Sequence, residues 1–219
     1  RNLQRLINNH LYIEVNMSMF RTKKQLPSDL HDDLMKEQFY TVYHELKKSG
    51  KQLFTVSSTK DRGVVASLIV NMGLVFAEMK KKVLLIDVNF SDPQLHVLLQ
   101  SDHMITVNDI ISSSPCNYES FSSNLSKYLY CIPAKKTVHT GTPLVAMDEF
   151  DNAIAKWKED FDYIFVYSSE VFELPATHII AGKCDGVVLA VKKQKDSLRT
   201  VQKVIADINR KECELIGII

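Results

Sequence analysis

Residues 52–92, QLFTVSSTKDRGVVASLIVNMGLVFAEMKKKVLLIDVNFSD, constrain the fold more than any other stretch of the chain. Leu53, Phe54 and Val56 form a short apolar run, followed by a polar turn rich in Ser, Lys and Asp. Val64 to Phe76 is apolar almost all the way round, which predicts a helix buried on most of its surface. Lys80 to Lys82 closes that helix, and Val83 to Ile86 enters a second buried strand. A strand, helix and strand with two uniformly apolar strands predict a parallel sheet joined by a right-handed crossover.

The turn between the first strand and the helix stands where a phosphate-binding loop would stand. Such a loop reads G-x-x-x-x-G-K-[ST]. With Gly63 as the last glycine, Ser58 takes the place of the first. Val64 takes the place of the lysine, and Val65 that of the hydroxyl residue. The ammonium that meets the phosphates and the hydroxyl that holds magnesium are both missing. Lost nucleotide chemistry is the leading expectation. The alternative is unusual anion binding through backbone amides and Lys60 or Arg62 at the helix start.

The rest of the chain continues the alternation. Residues 1–30 are expected to form an extension and linker, with Pro27 and Ser28 as turn signals, and residues 31–219 one α/β domain. A helix begins at Asp29 or Asp32 and ends near Lys48. It places Leu34, Phe39, Val42 and Leu46 on an apolar face, with Tyr40 and Tyr43 three residues apart on one side. Tyr40 and Tyr43 are read either as packing aromatics or as a partner-binding surface. After Ile86, Asp87 falls at the carboxyl end of a buried strand, where open α/β sheets bind ligands. It is read as a magnesium-water contact or as a cap for the following turn. Asn89 has an amide and cannot act as a general base. A helix over 147–158 points Phe150, Ile154 and Trp157 at the core. The strand over 163–167 ends in Tyr167, Ser168, Ser169 and Glu170. Further elements are expected near 128–132, 174–181, 185–191, 197–209 and 215–219. The sum is a mostly parallel sheet of about seven strands with helices on both faces, like a P-loop NTPase.

A formal net charge of +1 supplies no electrostatic case for nucleic-acid binding. Lys135, Lys136 and His139 make a small basic patch, read as solvated surface or as a contact for an acidic partner. None of the four cysteines forms C-x-x-C or stands at metal-ligand spacing from a histidine, so reduced thiols are expected. No apolar run is long enough to span a bilayer.

Three motifs carry a resemblance. SSTKDRGVVA over 57–66 is similar to S-S-x-P-G-E-G-K-S-T. LLIDVNFSDPQLH keeps Asp87, Pro93 and His96 of L-L-I-D-x-D-x-x-x-P-x-x-H but has Asn89 for the second Asp. DYIFVYSSE keeps Asp162 and Tyr163 of D-Y-x-x-x-D-T-P-P but has Tyr167 for its Asp, and DGVVL over 185–189 follows. On these motifs the chain resembles, over nearly its whole length, the cytoplasmic domain of bacterial tyrosine kinases that regulate capsule and exopolysaccharide export. These belong to the deviant P-loop ATPases.

That resemblance implies a cytoplasmic domain attached to an inner-membrane chain-length regulator. Its partners would be polysaccharide export proteins or its own membrane-spanning segment. EQFYTVY is similar to the family's E-x-x-R-x-x-R self-association motif, with Glu37 kept but Tyr40 and Tyr43 in both arginine places, which counts against ring assembly through that motif; a homo-oligomer is one further expectation. With loss at three separated motifs, no cofactor and no catalytic residue is expected. The alternative is a divergent ATPase or tyrosine kinase that uses ATP and Mg2+ through Lys60, Arg62, Asp87 and Glu170.

Overall fold

Strict alternation along the central strands decides how the chain layers. Phe54 and Val56, Val83 and Leu85, and Tyr163, Phe165 and Tyr167 point to one face of a sheet and join one buried cluster. Leu53, Leu84, Ile86, Ile164 and Val166 point to the other face and join a second. The computed structural model describes residues 11–12, 33–59, 62–99, 105–112, 122–123, 125–137, 141–168, 175–191, 196–210 and 213–219.

In chain order the elements are β1 (Leu11–Tyr12), α1 (Asp33–Ser49), β2 (Leu53–Ser58), α2 (Arg62–Glu78), β3 (Val83–Asp87), α3 (Leu95–Leu98), α4 (Val107–Ser112), β4 (Ser122–Ser123) and β5 (Ser126–Ile132). They continue as α5 (Thr142–Ala146), α6 (Asp148–Asp160), β6 (Tyr163–Tyr167), α7 (Pro175–Lys183), β7 (Gly186–Ala190), α8 (Leu198–Arg210) and β8 (Leu215–Ile218). The sheet has eight strands in the order β1-β8-β7-β2-β6-β3-β5-β4. Every pairing is parallel except β4 with β5. The expected architecture is present. One additional strand comes from Ser122–Ser123, which lies in a Ser- and Asn-rich stretch whose composition signals loop. Residues 11–12 pair with β8, so part of the expected N-terminal extension is an edge strand of the sheet. The expected helix cap at Asp29 or Asp32 lies outside the described residues.

Helices α1, α2 and α3 cover one face of the sheet. Helices α4 to α7 cover the other, with α8 packed over β7 and β8. α2 is buried because nearly every residue along it is apolar; its one buried amide, Asn71, donates to the Ser67 carbonyl at 2.8 Å. Gly73 lets this helix approach the sheet closely. A Cβ there would lie 2.9 Å from Leu129 Cδ1 and 3.1 Å from Leu85 Cδ2. On α1, Phe39, Val42 and Leu46 are buried as the helical spacing predicts.

Side chains tie the amino ends of the strands together. Asp185 accepts the N–H groups of Leu53 at 2.9 Å and Gln52 at 3.2 Å, and pairs with Lys158 at 2.5 Å. Burial alone would raise its pKa, but Lys158 and those two N–H groups outweigh burial and hold it below the ordinary value. Asp162 accepts the Lys82 N–H at 2.8 Å. The amino edge is thus closed by structural contacts, and the opposite edge is left for the site.

Gly73→Val forces a branched side chain between α2 and β5. It is expected to destabilise the domain by about 1–3 kcal/mol, read as a lower urea midpoint at unchanged slope.

Candidate site at the carboxyl edge

The residues singled out in the three motifs converge on the carboxyl ends of β2, β3 and β6, because parallel strands all deliver their last residues to one edge. Asp87 and Tyr167 are register partners across β3 and β6. Ser57 and Ser58 pair with Leu189 and Ala190 of β7. The ladder with β7 therefore carries β2 two residues beyond the expected turn, and both serines are buried strand residues rather than loop. α2 begins at Arg62, two residues before Val64. Val65 is buried in the cluster under α2, and Val64 is half-buried. Arg62 and Gly63 lie in the first turn of α2, and their side chains are outside the description. Lys60, His139, Ser169 and Glu170 lie outside the described residues.

Asp87 is fully buried and its carboxylate is committed to backbone. One oxygen accepts the Asn89 N–H at 3.0 Å. The other accepts the N–H groups of Gln94 at 2.9 Å and Leu95 at 3.1 Å. It therefore organises the turn after β3 and the entry to α3, the capping alternative read from sequence. Burial pushes its pKa from an ordinary 3.8 up to about 7. The N–H groups of Leu95, Gln94 and Asn89 pull the other way, and Asp92 adds a smaller upward push.

Asn89 and Tyr167 meet at the same edge. Asn89 Nδ2 donates to the Tyr167 hydroxyl at 3.2 Å. Asn89 Oδ1 accepts from Ser91 Oγ at 2.9 Å and from the Asp92 N–H at 3.3 Å. Asn89 and the whole Tyr167 side chain are buried. Beside them Thr55 Oγ1 and Ser168 Oγ lie 3.3 Å apart. The Val88 N–H donates to the Tyr167 carbonyl at 2.9 Å, so the β3–β6 ladder runs into this edge. Phe90 then turns the chain onto the opposite face. Its ring lies against Gly141, where a Cβ would come within 2.0 Å and where φ is +67°. Only glycine suits both that backbone and that contact.

Sequence reasoning found Asn89 and Tyr167 as separate departures from the motifs. That they bond to each other was not legible, since β3 and β6 are far apart in the chain. The only signal was that both were replaced together. Of the interaction candidates, Glu37 is exposed and Tyr40 half-buried. Tyr43 corrects the surface reading. It is buried, edge-on to Phe76 at 4.9 Å and to Tyr163 at 5.8 Å, because α1 lies flat on the sheet and turns that side inward.

These residues are a poor fit for a magnesium–triphosphate group. The described part of the edge presents a neutral amide, a phenol and two valines; of its two carboxylates, Asp87 is taken up by three backbone donors and Asp92 accepts from Gln94 Nε2 at 2.8 Å. Among the described residues no three His, Cys, Asp or Glu side chains converge as a metal site requires. No described helix is long and apolar enough to cross a membrane.

No family model and no curated protein sequence matches the chain. Its fold is shared with solved structures. The chimerical protein CapA2B2 is 12% identical with a TM-score of 0.83, covering 99% of this chain and 96% of its own. The BceF tyrosine kinase domain is 14% identical with a TM-score of 0.79, covering 99% and 95%. The kinase domain of the Escherichia coli tyrosine kinase ETK is 14% identical with a TM-score of 0.74, covering 91% and 80%. At these identities the likeness establishes a P-loop NTPase-like α/β fold.

Asp87→Ala strands three N–H groups, two of them buried, and is expected to cost about 3 kcal/mol of stability, measured by urea unfolding. The raised pKa also sets a sign. The unfolded chain ionises this group near its ordinary value, while the fold keeps the proton up to about 7. Its contribution is complete at acid pH and is lost as pH rises through about 7. Stability should fall between about pH 4 and about pH 7 and level off above it, and Asp87→Asn should flatten that slope.

Proposed function

We propose that this chain is a catalytically inactive, kinase-like domain that regulates or scaffolds exopolysaccharide export, as part of or attached to an inner-membrane protein. The observation that carries the reading is the neutral Asn89–Tyr167 hydrogen bond. It lies where the resembled motifs carry two aspartates, the one at the place of Tyr167 being their magnesium-site residue. Val64 and Val65 stand at the phosphate-lysine and hydroxyl places, so the same loss recurs on a second element. Phosphoryl transfer needs charge neutralisation and positioning together, and compensation at two separated elements is harder than at one. The buried clusters on both faces of the sheet among the described residues support a folded domain kept for docking rather than for chemistry. The polysaccharide context, export-protein partners and self-association rest on the motif resemblance, with the exposed Glu37 and half-buried Tyr40 side of α1 as the candidate contact. A rebuilt ATPase would need Asp87 released from its three backbone donors, so no observation favours it.

Isothermal titration with ATP and Mg2+ is expected to detect no binding tighter than about 10 μM, which corresponds to about 7 kcal/mol. Millimolar Mg-ATP should leave the thermal midpoint in place, because a ligand at 100 times its Kd would add about 2.7 kcal/mol. Tight binding together with a raised midpoint would overturn the inactive reading.

A further inference from the structure

We infer that the segment from Val88 to Leu95 is held in one conformation by an internal clamp, with Tyr167 supplying the strut that joins β6 to it. Two hydrogen-bond hubs define this segment. Asp87 gathers the N–H groups of Asn89, Gln94 and Leu95, and so sets the shape of the turn. Asn89 gathers the Ser91 hydroxyl and the Asp92 N–H on its carbonyl oxygen, and hands its amide to the Tyr167 hydroxyl. The Asp92 N–H also reaches the Asn89 carbonyl at 3.2 Å, closing the turn a second time.

The first hub belongs wholly to the segment and the end of β3. The second is different, because Tyr167 ends a neighbouring strand. That hydroxyl ties the turn to the sheet. The contact is buried on both sides, with Asn89 1% and Tyr167 0% exposed. In such surroundings an amide that loses its partner finds no water to replace it, so the clamp holds its geometry strongly. The whole arrangement is neutral at the Asn89–Tyr167 contact and is built from the chain's own atoms. It needs no ion or nucleotide to complete it.

This goes beyond the functional reading, which concerns only what the edge no longer binds. The clamp predicts a turn over 88–95 that keeps one conformation whatever nucleotide is in solution, with Ser91 exposed at its tip and Val88, Asn89, Phe90 and Leu95 buried.

Hydrogen exchange with mass spectrometry on the full chain tests it. In the wild type, peptides covering 88–95 should exchange slowly and at the same rate with or without millimolar Mg-ATP. Tyr167→Phe keeps the ring and removes only the hydroxyl. It should speed exchange in those peptides roughly tenfold while peptides from β2 and β5 stay at the wild-type rate. Unchanged exchange in the variant, or a rise spread over every peptide, overturns the clamp. So does a wild-type rate that changes with Mg-ATP. The two readings fail separately. Nucleotide binding by calorimetry with unchanged 88–95 exchange sinks the inactive reading and leaves the clamp. Absence of binding with an indifferent Tyr167→Phe does the reverse.

Discussion

The burial of α2 against the central strands is the contact on which the rest of this domain depends. A parallel sheet has no solvated face, so each side must be covered along its length. α2 meets that requirement with an almost wholly apolar surface, and Gly73 brings it within van der Waals contact of Leu85 and Leu129. Because the helix is seated so closely, its first turn is delivered to the carboxyl ends of β2, β3 and β6. The candidate site is a by-product of that packing.

At the edge so formed, Asp87 and Asn89 are satisfied from within, whereas the buried Thr59 Oγ1 and His96 Nδ1 have no hydrogen-bond partner among the described residues. Asp87 spends its carboxylate on three amides, and Asn89 spends its amide on Tyr167. Here Tyr167 has the full volume of an aromatic side chain and is completely buried. Hydrogen bonding and core packing are therefore served by the same residue. An aspartate could accept a hydrogen bond at this place but could not fill the space under α2.

The two ends of the sheet divide their labour by charge. At the amino ends, Asp185 and Asp162 keep company with Lys158, Lys81 and backbone N–H groups, in partly exposed surroundings. At the carboxyl ends, the buried contacts are neutral or involve one carboxylate raised toward neutral pH. Ion pairs near water add little net stability, whereas buried hydrogen bonds are costly to break. The carboxyl edge is accordingly where single substitutions should be felt most.

Much of the fold was legible along the chain. The apolar runs at 53–56, 83–86 and 163–167 and the periodicity of Phe150, Ile154 and Trp157 depend on neighbours a few residues away, which a sequence displays directly. The motif departures at Val64, Val65, Asn89 and Tyr167 were equally plain, since residue type at a known spacing is all they require. Tertiary structure decided what periodicity leaves open. It extended β2 through Ser57 and Ser58, because pairing with β7 is a contact between distant segments. It turned Tyr43 inward, because a helix shows which residues share a side but not which side meets the sheet. And it joined Asn89 to Tyr167, a bond that exists only once two strands far apart in the chain lie side by side.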